Sequence, residues 1–342
     1  MTDLVTLTPE GLYCPPGGFH IDPWRPVERA LITHAHGDHA RRGSRQYDAP
    51  RSGVGLLRCR LGPEAMIEGH DFGKPLAFGG ATVSFHPAGH VLGSAQIRVE
   101  AAGEVWVISG DYKRDLDPSC EPFEVVPCDV LITEATFALP IYRWDPVDQV
   151  IDALLGWWDA NAAAGRASVL CCYALGKAQR VLAEIGGRTD RAVFVHGAID
   201  ALLDAYQGEG IALGPTVPVG AQGKGQSFAG ELIIAPPSAF GSPWMRRFGD
   251  ASTGFASGWM RVRGNRRRRG FERGFVLSDH VDWPGLLRTI DETGARRVLA
   301  THGYGDSLAR YLREVGLAAE PLETLFEGEV EEAAPSDCAM TV

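Results

Sequence analysis

The sequence predicts an α/β protein in which one domain is interrupted by a second. Short apolar strand patterns that end in histidine or a carboxylate occur both before residue 140 and after residue 273. Between them, residues 141–272 alternate helix and strand patterns, which is typical of a mainly parallel sheet. We therefore expect one discontinuous domain at 1–140 and 273–342, and an inserted α/β domain at 141–272.

Length and composition agree with a globular protein of about two domains. Of the 342 residues, 45% are hydrophobic and 22% are charged. Residues 1–10 carry neither a basic start nor an apolar block, and no apolar run approaches ~20 residues. We therefore expect a cytoplasmic protein with no membrane segment. The formal net charge of −10 argues against general attraction of the surface to a polyanion, so any nucleic-acid contact must be local.

Cysteine usage gives no sign of a disulfide framework or of a zinc ribbon. The seven cysteines are odd in number and form no Cys-x-x-Cys pair. Buried free thiols are the expected state of these residues.

The segment after the first strong strand pattern is dense in metal-binding groups. Residues 31–33 form a short apolar run, and His34, His36, Asp38 and His39 follow within six positions. An extended segment directs His34 and His36 to the same side. The chain can then turn at Gly37, before Asp38 and His39. Imidazole and carboxylate together suit zinc, with manganese or iron as alternatives. The pattern predicts a loop that serves two metal ions, and a histidine-rich surface turn is the alternative interpretation.

Five more histidines and carboxylates lie close to the ends of apolar strand patterns. They are His90, Asp111, Glu134, His280 and His302. A sheet that aligns its strand ends would bring these groups and the first loop to one edge. That convergence is what a binuclear site requires.

The inserted region contains two glycine-containing turns that offer backbone N–H groups to a phosphate. Lys177 follows a glycine at a predicted helix start, and Ser257 and Gly258 lie in a second turn. Ordinary helix entry and an ordinary loop are the alternatives. Earlier in the insert, Asp145 is predicted to cap a helix that Pro146 opens.

An arginine-rich run stands out in this acidic chain. Residues 261–273 hold seven arginines against Glu272 alone, a net charge of +6. The run predicts a patch that tracks a nucleic-acid backbone, and a solvated charged loop is the alternative. The predicted contacts are Arg261, Arg263, Arg266, Arg267, Arg268 and Arg269. The acidic stretch from Glu320 onward is predicted to be a frayed, solvated tail.

The loop His34-Ala35-His36-Gly37-Asp38-His39 resembles the signature of the metallo-β-lactamase superfamily. The insert, with Ala174-Leu175-Gly176-Lys177-Ala178-Gln179 and the following Ser278-Asp279-His280, resembles the β-CASP branch, whose members cut nucleic acids. Residues 236–245 and 257–261 are most similar to bacterial ligase-associated DNA exonucleases. The resemblance covers nearly the whole chain. It implies a metallo-β-lactamase αββα sandwich with an inserted α/β β-CASP domain.

The resemblance also implies a role for each of these side chains. One metal would be held by His34, His36 and His90, the other by Asp38, His39 and His302, with Asp111 bridging the two. Catalysis would involve Asp38, together with His280 as the proton donor and Glu134 as the carboxylate that orients it. Asp22 would support the metal loop from behind, although an aspartate at a strand end can equally serve only a turn.

The implied function is that of a metal-dependent phosphodiesterase with two divalent ions, zinc or manganese. The ligase-associated group is encoded with an ATP-dependent DNA ligase, a helicase and a phosphoesterase, which implies DNA repair and action on single-stranded DNA from a 5′ end. However, His302 occupies a position where RNA-cutting β-CASP proteins carry histidine and eukaryotic DNA-cutting ones carry valine, so RNA is the main alternative. A small-molecule thioesterase or lactamase and a non-catalytic assembly subunit are further alternatives.

Overall fold

A computed structural model describes residues 3–223, 225–262 and 270–326. The described chain divides into two compact units. One is formed by residues 3–142 and 280–326, and the other by residues 143–223, 225–262 and 270–279. Within the described residues, no helix has the length and apolar character needed to cross a membrane.

The first unit begins with a six-stranded mixed sheet. Its strands are β1 (Thr6–Thr8), β2 (Gly11–Cys14), β3 (Phe19–Ile21), β4 (Arg29–Leu31), β5 (Gln46–Pro50) and β6 (Ile67–His70), in that spatial order. The pairing is antiparallel from β1 to β3 and parallel from β3 to β6. Helix α1 (Val54–Leu61) connects β5 to β6 after a 3-10 turn at Arg51–Gly53.

A second mixed sheet starts directly afterwards. Its first five strands are β7 (Leu76–Phe78), β8 (Ala81–Pro87), β9 (Ala95–Ala101), β10 (Glu104–Ile108) and β11 (Val130–Ala135). Strands β7 to β10 form an antiparallel meander, and β11 joins β10 in parallel.

The inserted unit is built on a parallel sheet. Its elements are α2 (Val147–Ala163), β12 (Ser168–Cys171), α3 (Lys177–Gly186), β13 (Val193–Val195), α4 (Gly197–Gly208), β14 (Thr216–Pro218), β15 (Leu232–Ala235), β16 (Ser252–Ala256) and β17 (Arg273–Phe275). The spatial order is β14-β13-β15-β12-β16-β17, and every pair is parallel. Short 3-10 helices lie at Val219–Ala221, Pro237–Ala239, Pro243–Phe248 and Gly258–Arg261.

The chain then returns to the first unit and completes its second sheet. Helix α5 (Trp283–Thr293) leads to β18 (Arg297–Gly303), and helix α6 (Gly305–Glu314) leads to β19 (Ala318–Pro321). Both strands add in parallel beyond β11, so the sheet order is β19-β18-β11-β10-β9-β8-β7.

The first unit is layered because each strand separates its side chains onto two faces. Leu12, Ile21 and Leu31 of the first sheet share one buried cluster with Phe85 and Ile97 of the second. The opposite face of the second sheet carries Val107, Leu131 and Val298 against Leu286 of α5 and Leu308 of α6. Two facing sheets with helices outside, plus a separate parallel sheet, confirm the predicted fold class.

Two local predictions were wrong. Helix α2 begins at Val147, and Asp145 does not cap it but accepts two hydrogen bonds, of 3.0 and 3.1 Å, from the Nη1 group of Arg261. The tail predicted from Glu320 onward is ordered at its start, because Glu320 and Pro321 belong to β19 and Phe326 is buried. Pairing with a parallel neighbouring strand orders this stretch, which its acidic composition alone does not predict.

Among the described cysteines no disulfide forms, as expected. Cys14, Cys171 and Cys172 are buried thiols, whereas Cys59, Cys120 and Cys128 are only partly buried.

Replacing Leu131 with alanine should destabilise the protein by about 2–5 kcal/mol, because it empties a fully buried site between the second sheet and its helices. Leu116 is 79% exposed, so Leu116→Ala should change the free energy of unfolding by less than about 0.5 kcal/mol. Urea titration of both variants measures the difference. Equal stability of the two variants would contradict the layer assignment.

Candidate metal centre

The candidate site lies where strands of two sheets end. Strand β4 of the first sheet leads into the loop at residues 34–39, while β8, β10, β11 and β18 of the second sheet lead to His90, Asp111, Glu134 and His302. The sequence predicts convergence of these groups at the edge of one sheet. The sandwich instead aligns the ends of two facing sheets, and His280 follows β17 of the inserted unit's sheet.

Asp22 anchors the histidine loop from behind. Its carboxylate accepts hydrogen bonds from the Thr33 backbone N–H at 2.7 Å and from the Thr33 hydroxyl at 2.5 Å. The same carboxylate lies 2.7 Å from Nδ1 of His39. Asp22 is buried and has a φ of +43°, a conformation that non-glycine residues rarely adopt. This strained residue thus fixes both ends of the loop.

The first group of donor atoms surrounds one side of Asp111. Nδ1 of His36 lies 3.1 Å from Nε2 of His34 and 3.1 Å from Nε2 of His90. Oδ2 of Asp111 lies 3.5 Å from Nε2 of His34 and 3.8 Å from Nε2 of His90. Four atoms arranged as a tetrahedron about 2.0–2.1 Å from a zinc ion lie roughly 3.3 Å from one another. The spacing of this group therefore fits one ion.

The second group surrounds the other oxygen of Asp111. Oδ1 of Asp111 lies 3.6 Å from Nε2 of His39 and 3.3 Å from Nε2 of His302. Nε2 of His39 also lies 3.6 Å from Oδ2 of Asp38. Because each oxygen of Asp111 faces a different group, this carboxylate is placed to bridge two cations.

Buried atoms without hydrogen-bond partners support this interpretation. Among the described residues, Nε2 of His39 and Oδ1 of Asp111 are buried and have no such partner. Leaving a buried polar atom unpaired costs about 1–3 kcal/mol, so natural proteins rarely do so without a function. A metal ion bound at Asp111 would satisfy both atoms.

The pKa shifts show how strongly these groups interact. Burial opposes protonation of His39, but the carboxylates of Asp38, Asp111 and Asp22 raise its pKa to about 10. Burial alone would raise the pKa of Asp111, yet the charges of His39, His280 and His302 hold it well below its usual range. Burial, reinforced by His39, lowers the pKa of His34 well below 6.5. Binding of a metal cation would therefore compete with the proton on His39.

Glu134 and His280 form a separate buried pair beside the first group. Nδ1 of His280 lies 2.8 Å from Oε2 of Glu134, and the backbone N–H of Tyr112 donates to Oε1 at 2.7 Å. The rings of His280 and His90 are 4.7 Å apart. A Glu134 oxygen is also close enough to Asp111 and His302 to form a ligand group with them. Both oxygens of Glu134 therefore already have partners, and one of them faces His280.

Two glycines allow the site loops to approach each other closely. A Cβ at Gly110 would lie 2.7 Å from Cβ of Thr33, and one at Gly303 would lie 2.4 Å from the carbonyl oxygen of Ala135. Both glycines have positive φ angles, of +55° and +86°. Their neighbours Asp111 and His302 reach the site because no side chain intervenes.

The predicted nucleic-acid contacts of the insert occupy varied environments. Lys177 is buried, with its ammonium 3.6 Å from the Asp279 carboxylate and 4.8 Å from the centre of the Tyr173 ring. Ser257 and Gly258 are also buried, and the Ser257 hydroxyl accepts from the Trp259 N–H. Their contact with a phosphate stays a prediction, and the Lys177 charge already faces a carboxylate.

Of the six arginines predicted as nucleic-acid contacts, Arg261 alone lies within the described residues. It is half-buried and pairs with Asp145. The other predicted contacts, Arg263, Arg266, Arg267, Arg268 and Arg269, lie outside the described residues.

Three contacts at the site were not found from the sequence. Thr33 bonds to Asp22, and the hydroxyl of Thr136 lies 3.2 Å from Nε2 of His302. The ring of Phe326 stacks on His39. A threonine at a strand end and a phenylalanine in an acidic tail carry no distinctive sequence signal, so only the tertiary structure shows these contacts.

A further group of metal-ligand types lies at the edge of the first sheet. Asp48, Glu68 and His70 have ligand atoms within 4.8 Å of one another. The group differs from the centre at Asp111 because Arg29 lies 3.2 Å from the Asp48 carboxylate and Nε2 of His70 lies 2.9 Å from it. Asp48 therefore has a permanently charged partner in Arg29, while its Oδ2, like Oδ1 of Asp111, accepts no hydrogen bond from the described residues.

Comparisons with known proteins agree with the geometry. No family model matches the chain. The chain is similar to a probable DNA ligase of Opitutus terrae, at 31% identity over 314 residues, which cover 90% of this chain and 30% of that protein. It is also similar to Ribonuclease TTHA0252 of Thermus thermophilus, at 28% identity over 48% of this chain and 44% of the relative. Endoribonuclease YSH1 of Eremothecium gossypii is 32% identical over 34% of this chain and 15% of the relative.

The chain thus spans less than half the length of each of these relatives. A protein of unknown function from Enterococcus faecalis has the same fold, with a TM-score of 0.57 and 13% identity over 87% of this chain and 79% of that one. The sequence relatives support the resemblance to metallo-β-lactamase and β-CASP nucleases. The narrower resemblance to DNA exonucleases stays a prediction.

Asp22→Asn should weaken metal binding by about 10–100-fold, because an NH2 donor replaces one of the two carboxylate oxygens, and Oδ2 is the acceptor that faces both His39 and the Thr33 hydroxyl. Competition with a chromogenic chelator measures the affinity. Asp71→Asn is the matched control, since Asp71 is exposed and pairs with Arg51 on the surface. An unchanged affinity in Asp22→Asn would show that the loop holds its shape without this anchor.

Proposed function

We propose that this protein is a metal-dependent phosphodiesterase that degrades single-stranded DNA as an exonuclease, from the 5′ end. The observation that carries the proposal is that two groups of histidines converge on Asp111, one group on each carboxylate oxygen. The buried pair of His280 and Glu134 lies beside them. His34, His36, His90 and Asp111 would hold the first ion, and Asp38, His39, His302 and Asp111 would hold the second. Zinc suits this mixture of nitrogen and oxygen donors, and manganese is the alternative.

The proposed site meets the chemical needs of phosphodiester hydrolysis. Bound divalent cations supply a nucleophile at neutral pH and neutralise charge on the phosphoryl oxygens. Asp111 keeps the two donor groups at a fixed separation, because its oxygens face one group each. Asp38 adds negative charge beside His39, and Asp22 holds the His39 ring in place from the opposite side.

His280 is the proposed proton donor to the departing oxygen. Nδ1 faces Glu134, so the proton that the ring can transfer is on Nε2. The Glu134 carboxylate stabilises the imidazolium form, and the Tyr112 N–H holds the carboxylate itself. The arrangement fixes the tautomer and the orientation of His280, while its buried position beside His90 keeps it close to the first donor group.

DNA is the proposed substrate because the relative that matches 90% of the chain carries the name of a DNA ligase. A ligase joins DNA ends, and an exonuclease working with it would remove nucleotides from such ends. We propose on this basis an association with an ATP-dependent DNA ligase, together with the helicase and phosphoesterase of the same repair group. The described Arg261 and the arginines at 263 and 266–269 are the proposed contacts to the nucleic-acid backbone.

RNA is the second candidate substrate, and a specific observation favours it. Two of the relatives are named ribonucleases, and His302 is the residue type that RNA-cutting β-CASP proteins carry at that position. The metal centre itself serves either polymer, because the reaction at the phosphorus atom is the same.

His280→Gln should lower the turnover rate by about 10²–10⁴-fold, because glutamine can bond to Glu134 but cannot act as an acid at neutral pH. Bound metal, measured by atomic emission, should stay at the wild-type level. His20→Ala is the control, since His20 packs on Tyr13 away from the donor groups. Loss of metal together with activity would identify His280 as a ligand instead.

The substrate is tested with DNA and RNA strands of one sequence, each labelled separately at the 5′ or the 3′ end. We expect mononucleotides to carry the 5′ label from the earliest times, and the 3′-labelled DNA to shorten stepwise. Chelation should abolish the reaction, and added zinc or manganese should restore it. Faster cleavage of RNA would shift the assignment to a ribonuclease, and no cleavage of either polymer would overturn the proposal.

A further inference from the structure

The chain beyond β19 runs towards the metal centre. Strand β19 pairs in parallel with β18, from Arg297 opposite Ala318 to Ala300 opposite Pro321. The Leu322 N–H continues the ladder by donating to the Ala300 carbonyl at 2.7 Å. Because the strands are parallel, β19 leaves the sheet at the edge where β18 presents His302.

Phe326 ends this segment against the second donor group. Its ring is stacked on the His39 imidazole, with ring centres 4.4 Å apart and planes inclined by 8°. Trp24 and His302 meet it edge-on, at 5.8 and 6.0 Å. Phe326 is 9% exposed, whereas the neighbouring Leu325 is 59% exposed. The Phe326 side chain is therefore buried individually, whereas the segment as a whole is not.

The stacked ring of Phe326 restricts the motion of the His39 imidazole that would most disturb metal binding. The Asp22 carboxylate holds Nδ1 of His39 at 2.7 Å, which leaves rocking of the ring about that contact. A parallel aromatic plane blocks this rocking and excludes water from the face of the ring. Nε2 of His39 then stays directed towards Asp38 and Asp111, each 3.6 Å away.

We infer that Phe326 is a positioning residue for the metal ion of the second group, acting through the plane of the His39 ring. The inference rests on the proposed metal centre. It assigns a role in metal binding to a segment that lies after the last proposed ligand, His302. Because Phe326 also touches His302 and Trp24, it joins a loop of the first sheet to a ligand of the second.

The test compares the full-length wild type with Phe326→Ala, Phe326→Leu and Phe326→Tyr. Zinc affinity is measured by chelator competition, and the visible spectrum of the cobalt-loaded protein reports the ligand geometry. Phe326→Ala should weaken one of two binding steps by about 10–100-fold and change the cobalt bands, as expected for a group that orients a ligand. Phe326→Tyr keeps the flat ring and should bind zinc as the wild type does.

Phe326→Leu separates ring stacking from apolar cover, because leucine keeps most of the volume without a flat face. It should fold as the wild type does and still lose affinity at the same step. Leu325→Ala is the control within the segment, and it should leave both steps unchanged. Wild-type affinity in Phe326→Ala or Phe326→Leu, or an equal loss in Leu325→Ala, would overturn the inference. Failure of the wild type to bind any zinc would instead overturn the proposed metal centre.

Discussion

The hydrogen bonds of one buried carboxylate determine the shape of the proposed centre. Asp22 binds the backbone and hydroxyl of Thr33 before the histidine loop and the ring of His39 at its end. The loop between them directs His34 and His36 to one side and Asp38 to the other. The positive φ of Asp22 is a local strain that the surrounding sheet must stabilise. The anchor thus depends on the sandwich, and the donor groups depend on the anchor.

Electrostatic balance explains why the two donor groups must lie together. His34, His39 and Asp111 are buried around a small volume, and the pKa values of His34 and His39 shift in opposite directions because each charge depends on its neighbours. The protein alone leaves Nε2 of His39 and Oδ1 of Asp111 without hydrogen bonds within the described residues. Divalent cations bound there would relieve this imbalance, whereas the Asp48 carboxylate lies 3.2 Å from the guanidinium of Arg29. A permanently charged partner of this kind favours a structural ion pair at Asp48.

Function at this centre requires two kinds of rigidity. His39 is fixed by the Asp22 carboxylate, and His280 is fixed by Glu134 in the same way. Phe326 adds an apolar constraint to the histidine that Asp22 holds. A polar contact sets the direction of an imidazole nitrogen, while a stacked ring sets the plane. Together they define the position of the nitrogen more closely than either does alone.

The sequence by itself determined the fold class and the groups that converge, because alternating apolar residues form strands and the polar residues that follow them collect at strand ends. The density of histidine and aspartate in residues 34–39 marked the metal loop for the same local reason. Tertiary structure alone decided which oxygen of Asp111 faces which histidines, and that Asp145 pairs with Arg261 instead of capping a helix. It also decided that a residue in an acidic tail covers His39, because His39, the stacking partner of Phe326, lies far from it in the chain. Such contacts depend on long-range packing, which no local pattern encodes.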